Sequence, residues 1–84
     1  MPIPKKIIMT KSLEELINVA FDIKVFLSVG SYEFHHYEED SYVEFRTRNI
    51  KDPLSLLRIA HGLQLYIFAD NDSVIVRLYE REQG

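Results

Sequence analysis

An approximate repeat with a period of forty residues is the feature that most constrains the fold of this chain. When Lys11–Val29 is laid over Lys51–Ala69, the helix-start positions and most apolar positions coincide. A repeat of this length is one supersecondary unit, which buries its hydrophobic face by packing against its copy. The sequence therefore predicts two copies of one unit, at about residues 5–39 and 42–81, within a single domain of residues 1–84.

The first copy changes from helical to extended periodicity within a few residues. Ser12 and Glu15 have the spacing of a capping box, apolar residues at helical spacing follow them, and from Lys24 the apolar residues alternate. A helix followed by a hairpin explains this change. The predicted elements are a strand Lys5–Thr10, a helix Ser12–Phe21, a strand Lys24–Val29, a turn at Gly30-Ser31 and a strand Tyr32–Glu38.

The second copy follows the same order. An acidic cap before a proline marks a helix start at Asp52-Pro53, and Gly62 tolerates the left-handed conformation that ends many helices. The predicted elements are a strand Tyr42–Arg48, a helix from Asp52 to Gly62, a strand Leu65–Ala69, a turn at Asp70–Asp72 and a strand Val74–Glu80.

The predicted fold class is α+β. Each half is a duplicated strand-helix-strand-strand unit, so the whole has about six strands in a mostly antiparallel sheet. Each helix carries one apolar stripe, and we therefore expect two helices on one face of the sheet. A ferredoxin-like βαββαβ arrangement with additional hairpin strands satisfies the same pattern and stays an alternative topology.

The composition is that of one small globular domain, with 84 residues, 46% apolar and 27% charged. The absence of cysteine excludes disulfides and thiolate chemistry and favours a reducing compartment. No apolar run approaches the roughly 20 residues that a membrane span requires, and the first residues lack an apolar signal core. We therefore expect a cytoplasmic (intracellular) protein without a membrane partner.

Strand alternation divides the sheet residues between two faces. The face toward the helices is predicted to carry Val25, Leu27, Val29, Phe34, Val43, Phe45, Leu65, Ile67, Val74, Val76 and Leu78. The opposite face is unusually aromatic for an exposed surface and is predicted to lean positive, and contiguous exposed apolar surface marks interaction sites. Its basic residues are Lys24, Arg46, Arg48 and Arg77. The predicted interface residues are Phe26, Tyr37, Tyr66, Phe68, Ile75, Arg77, Tyr79 and Arg46.

Three interpretations of this aromatic face compete. Two copies of the chain can pack sheet against sheet as a homodimer, or a different protein partner can dock on the same Tyr, Phe and Arg side chains. Single-stranded nucleic acid can stack its bases on the rings. The net charge of −3 and the absence of the glycine–aromatic motif of RNA-recognition sheets count against nucleic acid. The sequence therefore favours a non-catalytic protein-interaction module that acts through this face, and we expect it to be a homodimer, to bind another protein, or both. Nucleic-acid binding through the same face is the alternative.

The sequence contains no residue set typical of catalysis, of a cofactor site or of a metal site. His35 and His36 are adjacent, so on a strand they point to opposite faces, and the turn at Asp70–Asp72 lacks the glycine and distal glutamate of a calcium loop. The chain has only three glycines and no phosphate-binding loop. We expect no catalytic, cofactor-binding or metal residues. This profile resembles that of small phage or mobile-element inhibitors.

Overall fold

The computed structural model describes residues 10–37 and 40–81, which form an α+β fold of two helices and four strands. The elements in chain order are α1 (Lys11–Leu27), β1 (Glu33–His35), β2 (Tyr42–Thr47), α2 (Pro53–Ile59), β3 (Leu65–Asp70) and β4 (Ser73–Tyr79). The strands form one antiparallel sheet in the order β1-β2-β4-β3. The α+β class is thus confirmed, and the predicted count of six strands is wrong.

β2 and β4 form the centre of the sheet. Their antiparallel register places Val43 opposite Leu78 and Phe45 opposite Val76. All four side chains are fully buried, and they point toward the helices. β1 borders β2 and β3 borders β4, so β1 and β3 are the edge strands of the part of the chain that the structure describes.

One hydrophobic core joins the sheet to both helices. α1 contributes a stripe of apolar residues spaced three and four positions apart, and α2 contributes Leu56. This spacing matches the helical period, so the stripe stays on one side of the helix. Both helices therefore lie on the same face of the sheet, as predicted. The buried apolar residues of α1 are Leu13, Leu16, Val19, Ala20 and Ile23.

α1 is longer than predicted, and the predicted strand Lys24–Val29 is wrong. The helix extends to Leu27, so Val25 and Leu27 are helical residues and Val29 belongs to the segment before β1. The apolar spacing that starts at Leu13 continues through Ile23 to Leu27, which packs against the core. This helical pattern overrides the short alternation in the same residues: a strand would place Val25 on the same face as Ile23 and Leu27, whereas the helix leaves Val25 63% exposed.

The ends of α1 also differ from the prediction. Thr10 is the N-cap, and its side-chain oxygen accepts a hydrogen bond from the backbone N–H of Leu13 at 3.2 Å. The predicted capping box of Ser12 and Glu15 is therefore wrong, since Ser12 lies inside the helix and the Glu15 carboxylate accepts a hydrogen bond from Arg81. The Ser12 hydroxyl donates a hydrogen bond to the Glu80 carboxylate. Ser28 ends the helix in the left-handed conformation (φ 57°). The predicted first strand lies outside the described residues except for Thr10.

α2 begins as the sequence predicts, but it ends at Ile59, before the predicted stop at Gly62. Asp52 caps it by accepting hydrogen bonds from the N–H (3.2 Å) and hydroxyl (2.6 Å) of Ser55, and Pro53 is the first helical residue. The hydrogen bonds to Ser55 lower the pKa of Asp52 below its ordinary value. Beyond the helix, Gly62 has a φ of 80°, a conformation that glycine adopts at little cost. Neither helix of the described chain is long and apolar enough to cross a membrane.

The forty-residue alignment does not describe the structural correspondence between the two halves. It lays the last turns of α1 over β3, so it equates a helix with a strand. The order helix–strand–strand occurs twice along the chain, and the two hairpins meet where β2 pairs with β4. The predicted order strand-helix-strand-strand holds for residues 42–81, which contain β2, α2, β3 and β4. It is wrong for the first half, since residues 10–37 contain one helix and one strand.

A substitution at Val25 tests whether the segment predicted to be a strand, Lys24–Val29, is helical around this residue. Its side chain is exposed in the last turns of α1, so its replacement by alanine removes little packing. We expect Val25→Ala to raise the free energy of unfolding by about 0.5 kcal/mol, because alanine favours a helix over valine. The matched control is Val74→Ala in β4, where a loss of stability is expected. A loss with Val25→Ala, measured by urea unfolding, contradicts the helix.

Candidate interaction surface on the outer sheet face

The sheet has a second face, opposite the helices, which we call the outer sheet face. Each strand contributes alternate residues to it, and the register places them in rows across the sheet. One row runs from His35 through Tyr42 to Tyr79. The described residues of the outer sheet face are Glu33, His35, Tyr42, Glu44, Arg46, Tyr66, Phe68, Asp70, Ser73, Ile75, Arg77 and Tyr79.

Tyr42 lies at the centre of a connected group of aromatic rings. Its ring centroid is 4.6 Å from that of His35, 6.1 Å from that of Tyr37 and 5.1 Å from that of Tyr79. The edge-to-face contact of Tyr66 with Tyr79, at 5.3 Å, extends the group onto β3. Such cross-strand aromatic pairs stabilise an antiparallel sheet beyond their buried area. The rings therefore form one continuous surface from β1 to β3.

Arg77 connects this aromatic surface to the charged residues. Its guanidinium carbon lies 5.1 Å from the ring centroid of Tyr42 and 5.1 Å from that of Phe68. Its Nε donates a hydrogen bond to Glu44 Oε1 at 2.8 Å, directly across the β2–β4 pair. The guanidinium thus contacts two rings while a carboxylate on the neighbouring strand balances its charge.

The electrostatic environment changes two pKa values at this centre. Desolvation by the surrounding groups raises the pKa of the Tyr42 phenol above its ordinary value, while the positive charge of Arg77 opposes the rise. The hydrogen bond to Glu44, followed by one with Tyr79, raises the pKa of Arg77. Tyr42 therefore stays a neutral phenol and Arg77 stays a cation throughout the neutral pH range.

The outer sheet face does not lean positive, which corrects the prediction. Arg46 pairs with Asp70 at 3.3 Å and Arg77 pairs with Glu44, so both guanidinium groups already have a carboxylate partner. Among residues 10–37 and 40–81, the face carries three carboxylates, with Glu33, against two guanidinium groups. Of the other predicted basic residues, Lys24 lies on α1 and Arg48 follows the end of β2.

The structure brings most of the predicted interface residues together, with three differences. Phe26 lies on α1 and is not part of the outer sheet face, because the predicted strand there is helical. Ile75 lies on the outer sheet face but is only 2% exposed. Tyr37 follows β1 and reaches the face through its ring contact with Tyr42. The remaining predicted residues, Tyr66, Phe68, Arg77, Tyr79 and Arg46, all lie on the face.

The outer sheet face also holds residues that were not among the predicted interface residues: Glu33, His35, Tyr42, Glu44, Asp70 and Ser73. Tyr42 is central among them, since its ring contacts those of His35, Tyr37 and Tyr79. Asp70 was assigned to a turn, whereas it is the last residue of β3. Continuing the alternation of Tyr66 and Phe68 by one step identifies Asp70 from sequence.

One group on the face has the composition of a metal site. The ligand atoms of Glu33, His35 and Glu44 lie within 4.8 Å of one another, and Glu33 is directly opposite Glu44 across the β1–β2 pair. Opposed like charges destabilise a sheet unless a cation lies nearby. Arg77 provides that charge to Glu44, and His35 Nε2 lies 3.3 Å from Glu33. The arginine therefore already supplies the positive charge that an ion would bring to Glu44.

A depression of about 370 Å³ lies beside these carboxylates. It is lined by the segment Val29–Tyr32 together with Glu33, Glu44 and Arg46. Ligand pockets are usually mostly apolar with a few polar groups that fix orientation, whereas charged side chains contribute much of this lining. The depression therefore provides charged contacts at one end of the aromatic surface and lacks the apolar walls of a small-molecule site.

The pairing of Arg77 with Glu44 predicts a measurable coupling. We expect Arg77→Met and Glu44→Gln each to lower the thermal midpoint of unfolding, and the double variant to lower it by less than the sum, because each single change leaves the other charge unpaired. The matched control is Arg46→Met, which breaks the more exposed pair with Asp70 and should have a smaller effect. Additive shifts for Arg77 and Glu44 contradict the coupling.

We compared the chain with protein-family models, with curated proteins and with solved structures, and nothing matches it in any of the three. A function for this chain is therefore inferred from its own residues and their arrangement on the outer sheet face.

Proposed function

We propose that the chain is a small non-catalytic protein-interaction module that acts through the outer sheet face. The observation that carries the proposal is the continuous group of rings around Tyr42, with Arg77, whose positive charge is paired with Glu44, among them. Tyrosine and arginine are the residue types that most often dominate the binding energy of protein interfaces. A module of this kind acts by covering a surface of its partner, which is also how a small viral or mobile-element inhibitor acts.

The exposure of the rings supports this role. Tyr37 is 55% exposed, Tyr66 48% and Phe68 41%, so three large side chains at the border of the surface still have area to bury. The rings nearer the centre, Tyr42 and Tyr79, are held by their neighbours and are partly buried. Preformed aromatic surface of this kind loses little side-chain entropy on binding.

The charge pairing favours a protein partner over nucleic acid. Binding to a phosphate backbone releases counterions when free cationic side chains neutralise the phosphates. Arg46 and Arg77 are already paired with Asp70 and Glu44, so each phosphate contact would require breaking an ion pair. Single-stranded nucleic acid remains the second candidate because Tyr66 and Phe68 form an exposed stacking surface beside Arg77.

Removal of the border rings tests the proposal. We expect the double variant Tyr37→Ala/Tyr66→Ala to lose at least about tenfold in affinity for a purified protein partner, because interface rings of this type contribute more than 1 kcal/mol each. The partner is first isolated with the wild-type chain and then titrated by calorimetry. The matched control is Leu54→Ala/Leu57→Ala, which removes two exposed apolar residues of α2 on the helix layer.

Two results would contradict the protein-binding role. One is unchanged partner affinity in the Tyr37/Tyr66 double variant together with a loss in the Leu54/Leu57 control, because binding would then use the helix layer. The other is an electrophoretic shift of single-stranded RNA or DNA that weakens as salt rises, which would favour the nucleic-acid alternative. No shift at low salt supports the protein-interaction module.

A further inference from the structure

β3 is an edge strand whose outer side has no neighbour among residues 10–37 and 40–81. It also carries exposed apolar side chains on both of its faces: Tyr66 and Phe68 on the outer sheet face, and Ile67 on the helix side at 43% exposure. Long apolar edge strands promote pairing with another chain, and soluble proteins usually protect them with lysine, proline or a bulge. The sequence of β3, Leu65–Asp70, contains no lysine and no proline.

The hydrogen-bonding pattern of β3 identifies which backbone groups point outward. Tyr79 donates its N–H to the carbonyl of Gln64 at 2.9 Å, so Gln64 bonds toward β4. In an antiparallel pair, successive residues bond alternately to one side and to the other. Tyr66, Phe68 and Asp70 therefore bond toward β4, as Gln64 does. The N–H and carbonyl groups of Leu65, Ile67 and Ala69 point to the free edge.

We propose that β3 pairs with β3 of a second copy of the chain in an antiparallel arrangement. The two copies are related by a twofold axis midway between Ile67 of one copy and Ile67 of the other, which we call the axis through Ile67. A twofold axis perpendicular to the sheet keeps the two outer sheet faces on the same side and makes a continuous sheet of eight strands. Ile67 is then opposite Ile67 of the second copy. The outward groups of Leu65 and Ala69 bond to Ala69 and Leu65 of that copy, which satisfies all three residues with outward-pointing groups.

The side chains of β3 complement each other in this register. Tyr66 is opposite Phe68 of the second copy, so two cross-strand aromatic pairs form on the outer sheet face. On the helix side, Leu65 is opposite Ala69 and Ile67 is opposite itself, and all are apolar. At the ends, Asp70 is opposite Gln64, which can donate a hydrogen bond to the carboxylate. No like charges meet at any position.

The neighbouring symmetric registers fit less well. An axis through Phe68 places Tyr66 opposite Asp70 and leaves Leu65 beyond the end of the partner strand. An axis through Tyr66 places Ala69 opposite Leu63, which lies before the first residue of β3 in the second copy. Each shift leaves fewer outward N–H and carbonyl groups paired than the axis through Ile67. The exposure of Ile67 also shows that α2 does not cover the helix side of this edge, which leaves room for the second copy.

A charge exchange at Ile67 tests the axis directly. Because Ile67 is opposite its own copy, Ile67→Lys places two ammonium groups together and Ile67→Glu places two carboxylates together. We expect the wild-type chain to sediment at twice its 9.9 kDa and each variant alone at 9.9 kDa. An equimolar mixture of the two variants should return to twice that mass, since lysine then faces glutamate. Circular dichroism checks that each variant is folded.

A single cysteine tests the register independently, because the chain has no cysteine of its own. Ile67→Cys should form a disulfide-linked dimer on mild oxidation, since directly opposite residues lie within the Cα separation that a disulfide spans. Ala69→Cys is the matched control on the same strand and face. In the proposed register it is opposite Leu65, so its thiols are too far apart to join, and it should crosslink only when mixed with Leu65→Cys.

Three outcomes would overturn the proposal. A wild-type chain that is monomeric from micromolar to millimolar concentration means that the edge is covered in another way. A dimer that persists in both charged variants uses another surface, such as the outer sheet faces packed together. Efficient crosslinking of Ala69→Cys alone means a different register. The Ile67 substitutions leave the rings of the outer sheet face in place, so these outcomes are independent of the test of the proposed function.

Discussion

The antiparallel pairing of β2 with β4 is the constraint on which the rest of the structure depends. This one register fixes two sets of neighbours at once, since side chains alternate across the sheet. On the helix side it brings Phe45 beside Val76, in the core that receives Leu16 of α1. On the other side it places Glu44 opposite Arg77. A slip of one residue would bury the ion pair under the helices and expose the core.

The two helices cover one side of this sheet, and the other side has an unusual amino-acid composition for an exposed face. A solvated sheet face normally carries threonine, lysine and glutamate, whereas this one carries a connected group of rings. The charges among them are balanced locally, as in the pairs of Arg77 with Glu44 and Arg46 with Asp70. Balanced charge removes long-range attraction to polyanions and leaves shape and aromatic contact to determine the partner.

The sequence predicted the second half of the fold well because its signals are local and do not conflict. Asp52 and Pro53 define a helix start through backbone hydrogen bonding alone, and Gly62 takes the positive φ expected of it. Alternation from Val74 to Tyr79 also places each side chain on its observed face. Most of the surface could therefore be predicted before any tertiary contact was known.

The prediction failed for the first half of the chain because the same apolar residues fit both the helical period and the strand period. Leu13, Leu16, Ala20, Ile23 and Leu27 follow the helical spacing, while Val25, Leu27 and Val29 alternate. Local pattern does not decide between them, since the choice depends on which arrangement the sheet can cover. The structure selects the helix, which places Phe26 on α1 and removes it from the surface. The pairing of Arg46 with Asp70 was equally non-local, because the sheet brings β2 and β3 near each other only through their shared neighbour β4.

The tyrosines give this surface an intrinsic optical label. Of the five tyrosines in the chain, Tyr37, Tyr42, Tyr66 and Tyr79 belong to the ring group and Tyr32 packs on Phe45 in the core. Rings this close couple their electronic transitions, and the chain has no tryptophan to mask them. The near-ultraviolet dichroism of the folded protein is therefore dominated by the outer sheet face. A molecule that contacts this face changes the spectrum without any attached dye.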